Sequence, residues 1–130
     1  METLFILGRV LFGGYFFIAG IKHFKHLNMM ASYAGSKGVP MPKFGVAFTG
    51  LLILLGGAGI FTGIYVTWSL YLIILFLLLV TFKMHDYWNI KDPTLQMPQK
   101  INFDKNIALI GAALIMLAMP LPWVTILALF

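Results

Sequence analysis

Charged residues divide this chain into long apolar blocks separated by two polar stretches. The first block runs from Thr3 to Ile21, broken only by Arg9, and gives way to Lys22-His23-Phe24-Lys25-His26. Its length of about 19 residues suits one helical crossing of a bilayer. Leu27 to Lys43 is polar or small, with Gly35, Gly38, Pro40 and Pro42 as breakers. It reads as a loop with room for a short interfacial helix at its start. From Phe44 to Phe82 no residue is charged; about 39 residues are too many for one crossing and suit two. Thr62-Gly63-Ile64-Tyr65 supplies the turn between them, with Gly63 able to cap the incoming helix. Lys83 to Lys105 holds all three Asp, four of the eight Lys, Pro93 and Pro98, and reads as a second long loop. Asn106 to Phe130 is uncharged over about 25 residues and makes the last block. Pro120 and Pro122 bend or end it near Met119, with Trp123 beside them as an interfacial anchor.

The pattern predicts an all-α integral membrane four-helix bundle, one transmembrane domain over residues 1–130 with spans near 3–24, 44–62, 65–84 and 105–121. A membrane β-barrel would need short alternating segments, whereas Leu70 to Val80 is apolar at nearly every position. Composition agrees with lipid as the solvent: 61% of residues are hydrophobic and 10% charged, against roughly a quarter charged in soluble domains.

The net charge of +5 does not indicate nucleic acid, because the basic residues flank apolar runs instead of forming a stripe. It points to topology and anionic lipid. All eight Lys lie in the two long loops or the span ends beside them. The positive-inside bias therefore puts the loops in the cytoplasm and both termini outside, in the cell's inner (plasma) membrane. Met1-Glu2-Thr3 lacks a basic leader region and Arg9 interrupts the first block, which argues against a cleaved signal. Small residues, among them Gly13 and Gly14, Gly56 to Gly63, and Ala108 with Gly111, mark faces where helices approach closely. The absence of Cys excludes thiol relays, disulfides and thiolate metal sites within this chain.

Four places carry candidate chemistry. Arg9 sits inside the first span, where a cation either pairs in the bundle interior or snorkels to the nearer surface. Of the basic cluster, Lys22, His23 and His26 are candidate ligand contacts; His23 and His26, three apart, share a face of any continuing helix. Metal or haem ligation there competes with a plain basic collar, which is favoured because no further ligand or supporting carboxylate is evident, so no metal site is assigned. The third place is His85-Asp86-Tyr87-Trp88, on the same side of the membrane by topology. His85 and Trp88 there suit a quinone carbonyl and a stacking ring, or else an aromatic belt. The fourth is Lys105-Asn106, where Asn106 either begins a helix or bonds between helices.

In this order the residues resemble the DoxX family of small bacterial membrane proteins. The matching elements are Gly8-Arg9, Ala19-Gly20-Ile21-Lys22, Gly38-Val39-Pro40, Gly56-Gly57 through Gly63, His85-x-x-Trp88, and Phe103-Asp104-Lys105-Asn106-Ile107-Ala108-Leu109. Each is weak alone, and the ordered set covers almost the whole chain. Many relatives look to carry an acid a few residues before the paired glycines, where this chain reads Leu51-Leu52-Ile53-Leu54-Leu55. A proton-handling role resting on that acid is not carried over.

The resemblance implies a four-helix membrane protein. Founding members are associated with a thiosulfate:quinone oxidoreductase and terminal oxidase system, others are described as partners of redox and detoxifying proteins, and distant eukaryotic relatives look like assembly chaperones. The expected function is a membrane subunit of a quinone-linked redox system, not catalytic on its own. The alternative is a non-catalytic scaffold or assembly factor. The expected partners are the lipid bilayer and other membrane or redox proteins, with a homo-oligomer left open. Quinone is the cofactor such a site admits.

Overall fold

The computed structural model describes residues 1–125. Among them the order is α1 (Glu2–Lys25), α2 (Leu27–Ser36), α3 (Pro42–Thr62), α4 (Val66–Met84), a short 3-10 turn (Tyr87–Asn89) and α5 (Pro93–Leu117), with no strand. The chain is thus an all-α helical bundle, and α1, α3 and α4 are each long and apolar enough to cross a membrane. Leu4, Leu11, Leu55, Leu75, Leu78 and Ile115 point outward, as lipid-facing side chains do. Phe16, Ile53, Ile60, Leu70, Ile73, Leu77 and Ala113 are buried in the core between helices.

The α1–α3 crossing is the closest in the bundle, and glycine makes it so. A Cβ on Gly13 would lie 2.6 Å from the Phe61 nitrogen and 2.8 Å from the Gly57 carbonyl oxygen, and one on Gly57 would strike the backbone of Phe17. Close backbone approach of this kind drives helix association where lipid removes the hydrophobic force. Gly14 and Gly111 play no such part, since a Cβ on either would meet nothing within 4 Å. Helix α3 packs on along α4, and α4 on along α5, whereas α1 and α5 share no extended contact.

Helix ends follow local chemistry. Gly63 ends α3 in the left-handed region at φ 79°, its N–H donating to the Gly59 carbonyl at 2.8 Å, a geometry that glycine reaches without strain. Asp92 caps α5 by accepting from the Thr94 N–H at 2.9 Å, and Pro93 opens the helix, where its missing N–H costs nothing.

That cap corrects the expected fourth span. Most of the anticipated second loop is helix, and the true connection is His85 to Asp92. Pro98 is accommodated within α5. The uncharged part of the helix, Asn106 to Leu117, is only about 18 Å long at 1.5 Å per residue, shorter than a hydrocarbon core. Beyond it the chain leaves the helix, and Trp123 tucks against Phe5 at 6% exposure instead of standing out as an interfacial anchor. The first loop is likewise mostly helical, as α2. The remainder of the expected last block, residues 126–130, lies outside the described residues.

Candidate functional site

A cavity of about 470 Å³ opens at the end of the bundle where α2 and the α4–α5 connection lie. All five helices line it. Phe16, Ala19 and His23 come from α1, Tyr33 from α2, Val46 and Thr49 from α3, Phe76, Val80 and Lys83 from α4, and Lys105, Asn106 and Leu109 from α5; His85, just past α4, completes the wall. The size falls within the range of small-ligand pockets, as does the mixture of an apolar body with a few polar groups.

His23 is seated by a glycine. A Cβ on Gly50 would lie 2.6 Å from the His23 Cβ, so α3 offers a notch at that position. The ring packs edge-on to Phe76 at 5.8 Å, and Nδ1 lies 2.8 Å from the Ala19 carbonyl oxygen one turn back. A carbonyl only accepts, so Nδ1 carries the proton and Nε2 is left as an acceptor in the neutral ring.

His85 is held from outside the cavity. Its Nδ1 donates to Gln99 Oε1 at 2.8 Å, and Gln99 Nε2 in turn donates to the Tyr33 hydroxyl at 3.1 Å. Asn106 is 5% exposed and projects into the wall two turns after Gln99 on the same face of α5. The rim is tied by an ion pair between Lys37 and Asp86, linking the loop after α2 to the loop after α4. Hydrogen bonds from Asn89 and Lys37 hold the Asp86 carboxyl below its usual range.

The two expected His and Trp pairings do not form, for one shared reason. Helix α1 ends at Lys25 and α4 at Met84, so His26 and His85 are the cap residues with backbone already off the helix. Three-residue spacing therefore no longer means a shared face. His26 and Lys22 are exposed and do not line the cavity. Trp88 rides on the 3-10 turn, half exposed, stacked edge-on to Phe103 at 5.6 Å. Among the described residues no three His, Asp or Glu side chains gather to hold a metal ion.

Arg9 lies at the opposite end. It is 2% exposed, its Nη1 donates to the Val124 carbonyl at 2.6 Å, and its Cζ stands 5.8 Å over the Phe5 ring. Gly63 backs this contact, since a Cβ there would lie 2.9 Å from Nη1. Nε, Nη2 and the Trp123 indole nitrogen are buried without a partner among the described residues. The cation thus pins the segment after α5 to α1, away from the cavity.

Sequence reasoning missed Tyr33, Phe76, Lys83 and Gln99 as lining or supporting residues. Asp92-Pro93-Thr94, read as a helix start, would have put Gln99 and Asn106 on one face. The DoxX family model matches residues 4–86, more than half of the chain. Neither the comparison with curated proteins nor that with solved structures gives a match.

Proposed function

The chain belongs to the DoxX family, and from that premise we propose that it is the membrane subunit of a quinone-linked redox system, holding an amphipathic ring ligand in the loop-end cavity. The observation that carries this reading is the cavity itself: about 470 Å³ of mostly apolar lining, with His23, His85 and Asn106 on its wall. An apolar interior receives the ring and its tail, and the three polar groups meet the ring oxygens. Lys83 and Lys105 add positive charge at the rim. With no Cys in this chain, any thiol or Cys-ligated cluster step belongs to a partner protein. The lysine-rich loops are its docking side, facing the cytoplasm by the positive-inside bias.

The test is purification in a mild detergent, followed by solvent extraction and absorbance and mass measurement of the extract. The wild-type protein should retain a quinone, counted in both redox states, near one per chain, and His85→Ala should lower that at least about fivefold, the loss expected of one hydrogen bond to the reduced ring, while still inserting and folding. An extract without quinone from well-folded protein would leave the scaffold reading in its place.

A further inference from the structure

Resting on that cavity reading, we infer that both imidazoles meet the ligand as hydrogen-bond acceptors, so that the site prefers a ring in its reduced, hydroxyl-bearing form: a hydroquinone over the corresponding quinone. For His23 the assignment is forced. Its Nδ1 sits 2.8 Å from the Ala19 carbonyl oxygen, which cannot donate, so the proton is on Nδ1 and the lone pair on Nε2. His85 is set in the same sense by Gln99, whose carboxamide oxygen accepts from Nδ1 while its amide donates to the Tyr33 hydroxyl. Gln99 is therefore a positioning residue, acting on the ligand only through His85.

A quinone carries only acceptor oxygens and would leave both Nε2 atoms facing lone pairs. A hydroquinone brings two O–H donors and satisfies both. Of the other polar groups on the wall, the Thr49 hydroxyl donates to the Gly45 carbonyl, and the Tyr33 hydroxyl keeps both a proton and a lone pair, so neither favours one form strongly. Asn106 offers both a donor and an acceptor. Lys83 and Lys105 are exposed, so their ammonium groups lose little by staying in water. The two rings cannot leave the wall, because His23 is wedged between Gly50 and Phe76 and His85 is tethered to Gln99. The preference is thus built into the tautomers and not into the charge of the site.

The experiment measures binding of decylubiquinol and decylubiquinone to the detergent-purified full chain by equilibrium dialysis under anaerobic conditions. The quinol should bind about tenfold tighter, about threefold for each of the two hydrogen bonds gained. His23→Phe keeps a flat ring in the Gly50 notch without the acceptor, and should shrink the preference to about threefold by weakening quinol binding. Gln99→Leu releases the His85 tautomer from the other side, and should narrow the preference even if the His23 variant fails to insert. Equal binding of the two forms to the wild-type chain, or tighter binding of the quinone, overturns the inference and leaves the cavity reading standing. Binding of neither overturns both.

Discussion

The two ends of the bundle are made of the same kinds of residue and put them to opposite use. At the terminal end Arg9, Phe5 and Trp123 combine a cation with two aromatic rings. At the loop end Lys83, His23 and Phe76 combine basic groups with an aromatic ring. The first set is closed: the segment after α5 folds against α1, Val124 accepts from Arg9, and the backbone of Gly63 fills the space behind. The second set is open: it lines a cavity walled by all five helices. What separates a clasp from a pocket here is whether backbone arrives to satisfy the polar group. A basic residue near a membrane surface is thus no guide to function until its partner is known.

Substitutions at three glycines take the ends apart, beginning with the change that removes both. Gly57→Val forces α1 and α3 apart at backbone level and should cost about 3 kcal/mol. Size exclusion and a thermal melt in detergent should show the folded species lost, whereas Gly14→Val, facing open space, should leave it intact. Gly63→Ala strains a φ of 79° and presses on Arg9. A loss of about 1–2 kcal/mol is expected there, with ligand retention unchanged; a fall in retention would mean that the ends are coupled. Gly50→Ala is the converse. It pushes His23 from its notch, should cost about 1 kcal/mol, and should reduce retained ligand severalfold while leaving the Arg9 end alone.

The smallest effect concerns the rim. Hydrogen bonding by Asn89 and Lys37 depresses the Asp86 carboxyl, so the stability it lends is present above its unfolded value of about 4 and lost as pH falls through the lower folded value. Melting between pH 7 and pH 3 should show a loss below about 1 kcal/mol from this pair, absent in Asp86→Asn.

Three of the long helices were legible because lipid demands uninterrupted apolar runs, and Gly63 announces the break between α3 and α4. The family was legible through an ordered set of short motifs of which none suffices alone. The fourth helix was legible in its apolar part but not at its start, because Lys100, Asp104, Lys105 and Pro98 were read as a loop, while an Asp-Pro-Thr cap makes them the outer turns of α5. The cavity wall was anticipated in part. His23, His85 and Asn106 belong to the wall of one cavity, but Lys22, His26 and Trp88 were grouped with them on helical spacing that stops at Lys25 and Met84. Arg9 was expected to pair inside the bundle or to snorkel out; it pairs inside, with the carbonyl of Val124, and no pattern in the chain singled out that residue, 115 positions away.

Photolabelling of the protein in native membranes tests the central claim most directly. A quinone analogue bearing a diazirine on its ring is activated, and the adducts are mapped by peptide mass spectrometry with and without excess decylubiquinone. Ligand held in the loop-end cavity should mark Tyr33, Phe76 or Val80, and the competitor should remove those adducts. Labelling scattered over the lipid-facing Leu75 and Leu78, or gathered at Tyr65 and Trp68 beside the Gly63 turn, and untouched by competitor, would contradict it.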